Sequence, residues 1–494
     1  MVSQHPDHAG VPYWHKKAFI STQYEAEECF LSFSELGSGE YKWDWEGKLV
    51  DESVMERLLA YNFDYFKENS LGKDVFLTFR LPNPTSETEF RLGRAFMGIL
   101  SATAMAEKVG LHSPSLFEVI LPMTESAEEM IDIQEAFAEM AQLKHKLYRM
   151  ENGPLKHIDV IPLFEQVETI MNSRNILEKY LNIHEKKFGF TPAYMRPYMA
   201  RSDPALNSGL VPTVLAIKVA LSHYKKFAKE KNIEFFPILG TASLPFRGGL
   251  SPKSVKKFAE EYSGVRTVLL QSAFRYDYDK KDVIQAVKDL EDILPKGKTV
   301  SVPASDEKKI REAVTIFEKY YQESVEGIAD VVNIVAGQLP KRRERVQHVG
   351  LFGYSRGIGK VKLPRAIGFT AALYSLGVPP EMIGTGRGIH EAEKKGYLTL
   401  VEKYYIFLKQ DLEQAGRYVN KEVLKKLAAK SPGFAGILED VTYIEKYLGK
   451  KLKPVTKEEK AHHVLVEQIY EKLEKKQSLT ELITEAALLR KSMG

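Results

Sequence analysis

Short runs of β-branched, aliphatic and aromatic residues recur along the chain. Each is followed by a longer segment whose apolar positions step at helical spacing. The runs are VFLTFRLP (75–82), FEVILPMT (117–124), HIDVIPLFE (157–165), YMRPYMARSD (194–203), EFFPILGTAS (234–243), RTVLLQSAFRY (266–276), VQHVGLFGYSR (346–356) and, more weakly, TVSVPAS (299–305). Segments such as SAEEMIDIQEAFAEMAQLKHKL and KDVIQAVKDLEDIL lie between them and read as amphipathic helices. Alternation of near-continuous apolar strands with helices predicts a parallel sheet covered on both faces. Eight such strands predict an α/β fold, a (β/α)8 TIM-type barrel with additional helices, especially C-terminal. The rival, an open doubly wound sheet, lacks a GxGxxG after its first strand. From about residue 390 the pattern is helical, with capping boxes expected at Thr456…Glu459 and Ser478…Glu481. One catalytic unit over 1–494 is expected. Residues 1–70 would fold over the barrel, 71–375 would form it, and 376–494 would be a helical extension.

The strand ends carry the chemistry. Arg80, Glu125, Glu165, Asp203, Arg247, Gln271 and Arg356 fall at or just past the end of an apolar run. In a parallel barrel these ends converge on the face that bears active sites. Glu165 and Asp203, on neighbouring strands, suit a hard divalent ion with open positions for substrate oxygens, and Glu125 could compete as a ligand. Either carboxylate could instead cap a helix or pair with an arginine. In the loop 244–252, Gly248 and Gly249 would let backbone approach an anion beside the Arg247 fork. KRRER (341–345), Gly353-Tyr-Ser-Arg356 and Gly384-Thr-Gly-Arg-Gly388 supply further donors. The first reads equally as a solvated basic patch, the last as a turn. These residues point to a small anionic substrate, held by arginines and a divalent ion.

Composition narrows the classes. The 494 residues carry 70 Lys+Arg against 66 Asp+Glu, a net charge of +4, too balanced for a dedicated nucleic-acid binder. The single cysteine, Cys29, excludes an intrachain disulfide and a multi-cysteine zinc site. The N-terminal residues lack the pattern of a signal peptide. The uncharged stretch 366–380 is too short to span a bilayer, so a soluble, cytoplasmic protein is expected. His223, His462 and His463 are expected to face solvent on helices.

Several segments together resemble the archaeal-type phosphoenolpyruvate carboxylases: QHPD (4–7), WDWEGK (43–48), IPLFEQ (161–166), MARSDPALNSGL (199–210), ASLPFRGG (242–249), QSAFRYDY (271–278) and PRAIGFTAALYSLGVPPEMIGTGRG (364–388). Their order matches and they span nearly the whole chain. The resemblance implies formation of oxaloacetate and phosphate from phosphoenolpyruvate and bicarbonate, with Mg2+ or Mn2+ and no biotin. Bicarbonate would attack the phosphoryl group to give carboxyphosphate and the pyruvate enolate. The enolate would then capture the released CO2. By the match, Glu165 and Asp203 would hold the metal. Arg247 would stabilise the transferred phosphoryl group or bicarbonate, and Arg80 and Arg356 would complete the phosphate clamp. Arg343, Gly248, Gly249 and Gln271 would contact substrate. His5 would assist decarboxylation of carboxyphosphate, so removing residues 1–8 is expected to abolish oxaloacetate formation with the fold intact. A homotetramer is expected, with no nucleic-acid or membrane partner. Pro245, Leu206 and Lys253 stand where the longer plant- and bacterial-type enzymes have His, Lys and Arg. Two alternatives stand beside this reading. One is another Mg-dependent barrel lyase or aldolase acting on a keto acid; the other is an anion- or RNA-binding scaffold resting on KRRER.

Overall fold

The computed structural model describes the whole chain except residues 86, 88, 112–113, 143–154, 345–355 and 359–360, and the side chains of 89 and 356–358. Its centre is one sheet of eight parallel strands in chain order: β1 (Val2–Ser3), β2 (Glu40–Asp44), β3 (Phe76–Arg80), β4 (Glu118–Leu121), β5 (Asp159–Phe164), β6 (Tyr198–Met199), β7 (Ile238–Leu239) and β8 (Thr267–Val268). The sheet closes on itself. Ser3 N–H donates to Leu270 O at 3.1 Å and Leu270 N–H donates to Met1 O at 2.8 Å, joining the first strand to the end of the last. A closed sheet leaves no edge of unpaired backbone groups.

Helices return each strand to the next: α1 (Glu25–Ser34), α2 (Val54–Glu68), α3 (Glu89–Lys108), α4 (Ala127–Ala141), α5 (Val167–Phe188), then α6 (Ser202–Ser208) with α7 (Leu210–Lys231), and α8 (Val255–Glu261). After β8 come α9 (Ser272–Tyr276), α10 (Lys280–Ile293) and the 33-residue α11 (Ala304–Ala336). The TIM-type barrel with C-terminal helices expected from the apolar runs is thus the fold. Two apolar cores follow from strand alternation. Ile120, Ile161, Leu163, Tyr198, Ile238 and Leu269 fill the barrel, while the other face of the strands packs on the helices.

Strand membership departs from the sequence expectation at both ends. Six of the predicted runs supply β3 to β8. The first two strands come instead from residues 2–3 and 40–44, so the barrel begins at Val2 and not at 71. β2 escaped notice because its inward positions Glu40, Lys42 and Asp44 are charged, whereas Tyr41 and Trp43 face the helices. The inward charges are tolerated because neighbours answer them. Arg196 Nη2 and Thr78 Oγ1 donate to Glu40 at 2.6 Å each, and Arg80 Nε donates to Asp44 at 2.8 Å. The weak run 299–305 joins no strand and leads into α11. Of 346–356, residues up to 355 lie outside the described residues. Arg356 opens a short antiparallel hairpin, Arg356–Ile358 with Val361–Leu363, apart from the barrel sheet.

Beyond this hairpin the chain is helical, starting with α12 (Ala366–Ser375). The Thr456 capping box forms, with Glu459 N–H donating to Thr456 Oγ1 at 3.2 Å. The Ser478 box does not; the last helix starts at Thr480 with Leu479 as its cap and no side-chain bond. The Gly-rich segment 384–388 is a packing device. Arg387 and the Gly384 N–H all bond to Asp440, and a Cβ on Gly386 would lie 2.0 Å from the Asp440 carbonyl oxygen. The segment's anion is therefore a carboxylate of the protein itself. His462 is buried against Arg490 rather than facing solvent. Cys29 is buried in α1. No described helix is long and apolar enough to cross a membrane.

Candidate active site

A cavity of about 190 Å3 opens at the C-terminal ends of the strands, lined by His5, Arg80, Glu165, Tyr198, Asp203, Arg247, Gln271 and Arg365 among others. Six residues read from the sequence therefore meet in one place: His5, Arg80, Glu165, Asp203, Arg247 and Gln271. The β pleat places them there. Leu163 and Glu165 are two apart on the inward face of β5, as are Leu269 and Gln271 at the end of β8.

Arg80 is 3% exposed. Its register partner on β2 is Asp44, which accepts from Nε at 2.8 Å. Glu46 lies 2.5 Å from Nη1. Burial opposes the guanidinium charge, but Asp44, Glu46 and Glu165 outweigh it and raise the pKa. Nη2 is buried without a hydrogen-bond partner. A charged donor left unpaired in a cavity wall is costly unless an anion completes it. Lys42, fully buried below, sits 3.3 Å from Asp44 and is pulled down to about 8 by burial and then by Arg80.

Arg247 faces Arg80 across the barrel mouth. Its Nε donates to Ser202 Oγ (3.0 Å), Nη1 to Asp7 (3.3 Å) and to the Gly494 carbonyl, and Nη2 to Gln271 Oε1 (2.5 Å). Four of its five N–H donors are taken, which fixes the plane of the fork. Burial lowers its pKa, and the carboxylates of Asp7 and Asp203 oppose that. Gly248 and Gly249, expected to touch substrate, do not line the cavity. They have φ of +117° and +72° and turn the chain after Arg247, a conformation that glycine adopts without strain.

The N-terminal residues reach the same mouth because β1 is part of the wall. Asp7 accepts from Ala273 N–H at 2.8 Å and from Ser272 Oγ at 3.0 Å, and Arg342 donates to the carbonyls of His8 and Ala9. This strap holds the His5 ring over the cavity, with Nδ1 2.7 Å from Ser3 Oγ. Removing residues 1–8 would thus delete a barrel strand along with His5, so the expectation that the fold survives that truncation does not hold.

Arg343 is elsewhere. It is 3% exposed and pairs with Glu28 (2.5 Å) and Glu25 (3.4 Å) behind the strap, not with the cavity. Arg342 is buried too, so KRRER is not a solvated basic patch. The Arg345 in it, and Gly353, Tyr354 and Ser355, lie outside the described residues, as does the Arg356 side chain. Glu125 stands at the rim, where Gln166 donates to it at 3.3 Å.

Arg365, Asp44 and Glu46 are site residues that the apolar-run reading missed. Arg365 lies 3.6 Å from Glu46 at the start of α12 and closes the mouth from the C-terminal region. A period-2 reading of EYKWDWE, with aromatics at 41, 43 and 45 and charges between, was the available signal for the other two.

Among the described residues no cluster of three or more His, Cys, Asp or Glu could hold a metal by itself. Glu165 and Asp203 nonetheless face one cavity. Both raise the pKa of Tyr198, after its burial and together with Asp44, against the opposing pull of Arg80. Two carboxylates with room for other oxygens match a hard cation that shares its shell with substrate.

A family model described as "Phosphoenolpyruvate carboxylase" matches residues 1–494. Curated proteins named phosphoenolpyruvate carboxylase are similar along the full chain. That of Leuconostoc mesenteroides is 38% identical over 497 residues, covering 100% of this chain and 98% of its own. That of Metallosphaera sedula is 39% identical over 513 residues, covering 100% and 99%. That of Methanothermobacter thermautotrophicus is 35% identical over 514 residues, covering 100% and 99%. With a family match from end to end and relatives well above 30% identity, the chain belongs to the phosphoenolpyruvate carboxylase family.

Proposed function

We propose that this chain forms oxaloacetate and phosphate from phosphoenolpyruvate and bicarbonate. The observation that carries the reading is the unpaired, buried Nη2 of Arg80 in the same cavity wall as Arg247, Glu165 and Asp203. Two anionic substrates must meet there, so cationic donors have to offset their repulsion. An aldolase or another lyase acting on a keto acid would have less use for a phosphoryl clamp built from two opposed arginines.

In this reading Arg80 and Arg247 grip the phosphoryl oxygens from opposite walls and hold them in line with the attacking bicarbonate oxygen. A divalent cation, Mg2+ or Mn2+, held by Glu165 and Asp203, would supply positive charge to the phosphoryl and enolate oxygens. No biotin takes part. Gln271 keeps the Arg247 fork aimed. His5, oriented by Ser3, faces the carboxyphosphate, whose C–O bond breaks to release CO2 and phosphate. His5 takes the carboxyl proton of carboxyphosphate and passes it to the departing phosphate as the C–O bond breaks, and the enolate carbon then adds to CO2. Substrates that fill the cavity would displace its water and so limit competing hydrolysis of carboxyphosphate. A homotetrameric cytoplasmic enzyme is the assembly and location we propose with it, on family grounds.

A coupled assay tests the function. With phosphoenolpyruvate, bicarbonate and Mg2+, malate dehydrogenase should consume NADH, and the signal should vanish without bicarbonate or with EDTA. NADH consumption indifferent to bicarbonate would favour the keto-acid lyase. The His5 role has its own expected result. His5→Asn should slow oxaloacetate formation by about 10²- to 10⁴-fold, the usual span for a group that handles protons. Bicarbonate-dependent phosphate release should fall much less. Equal losses in both products would place His5 in the first step instead.

A further inference from the structure

We propose that Glu381, from the segment beyond the barrel, is a positioning residue that sets the orientation of Arg247. The inference rests on the assignment of Arg247 to the phosphoryl group.

Arg247 reaches the cavity from a single 3-10 turn, Pro245–Arg247. Two buried side chains of opposite charge grip that turn. Arg201, 1% exposed, donates to the carbonyls of Phe246 (2.9 Å) and Pro245 (3.2 Å). Glu381, fully buried, accepts the Phe246 N–H on Oε1 at 2.8 Å. The same oxygen accepts from Tyr374 Oη at 2.9 Å, and Oε2 is buried with no hydrogen-bond partner.

A half-satisfied buried carboxylate is an expensive way to fill space. Burial pushes its pKa up to about 7 despite bonds from its own backbone N–H, Phe246 and Tyr374. What it provides is a strong acceptor for one N–H group, adjacent in sequence to the arginine that must not move. The GVPPEM segment that carries it leads into the Gly-rich helix start anchored on Asp440, so the acceptor is itself held by backbone packing. A displacement of the turn by an ångström carries the guanidinium with it, and such a shift costs up to about 100-fold in rate.

The test is a double-mutant cycle. Glu381→Met keeps the volume and removes the acceptor. In otherwise unchanged enzyme it should lower kcat/KM for phosphoenolpyruvate by about 10- to 100-fold. Glu381→Gln, which keeps a carbonyl toward Phe246 N–H, should recover most of that. In an Arg247→Ala background, Glu381→Met should cost less than about twofold, because residues that act through one another are not additive. Tyr374→Phe, which leaves the Phe246 bond in place, should stay within about twofold of wild type. Should Glu381→Met fail to fold, the cycle run with Glu381→Ala, which also removes the acceptor, decides by the same criterion. The same loss in both backgrounds would mean that Glu381 acts on the fold at large and would overturn the proposal, as would a Tyr374→Phe loss equal to that of Glu381→Met. If Arg247→Ala alone kept full activity, the functional assignment of Arg247 would fall first and the proposal with it.

Discussion

Arg247→Ala is expected to reduce kcat by at least about 10³-fold in a protein that still folds, with a lowered melting temperature because buried Asp7 loses its ion-pair partner. Arginines that stabilise a phosphoryl group in transfer contribute on that scale. The side chain is 1% exposed, and its fork is fixed by Ser202, Asp7 and Gln271. Removing it leaves Asp7 and Asp203 facing the incoming anions with one cation fewer. Arg247→Lys should rescue poorly, because an ammonium cannot hold the fixed partners and present a donor to the phosphoryl oxygens at once. The check is steady-state turnover in the coupled assay beside a thermal melt. A loss below about tenfold would remove Arg247 from the reacting centre.

Glu28→Ala should destabilise the protein by about 3–5 kcal/mol, the range for breaking one side of a buried charge pair. Glu28 is 1% exposed and meets Arg343 (2.5 Å), Arg275 (3.0 Å), Tyr276 Oη (2.5 Å) and Tyr41 Oη (3.1 Å). Without it, two guanidinium groups lose their shared counter-charge, although Glu25 still faces Arg343 at 3.4 Å. The effect extends to function, because Arg275 also donates to Ser3 O at 2.8 Å and so holds the strand that carries His5. Burial alone would raise the Glu28 pKa, but Arg343 and Arg275 reverse this and the net shift is downward. The stabilisation is therefore present above the ordinary glutamate pKa of about 4.3 and is lost as pH falls below it. Chemical denaturation at neutral pH measures the loss. An unfolding free energy within about 1 kcal/mol of wild type would show that Glu25 suffices for Arg343.

Arg343 shows where sequence reading reaches its limit. A basic cluster in a chain that handles anions reads as a binding surface. Whether an arginine meets a substrate or a glutamate depends on α1, some three hundred residues away in sequence. The two possibilities are chemically alike, and only packing separates them. Gly248 and Gly249 were legible as a turn with unusual backbone freedom. Their positive φ is used to aim Arg247 rather than to admit an anion.

The apolar strands with polar ends, IPLFEQ and RTVLLQS among them, were enough to determine the fold class, the catalytic face and five residues of the site, and the QHPD motif added His5. Periodicity reports burial, and in a parallel barrel the strand end reports the face. The sequence motifs were also enough for the family. Tertiary structure alone decided that residues 2–3 are the first strand, since two residues carry no period, and that the alternating segment 40–44 pairs beside it with its charges turned inward. It alone decided that Arg80 is held by Asp44 and Glu46, and that the Arg247 turn hangs on Arg201 and Glu381. Those partners lie far apart in the chain and meet only because the barrel closes and the C-terminal helices pack against its mouth.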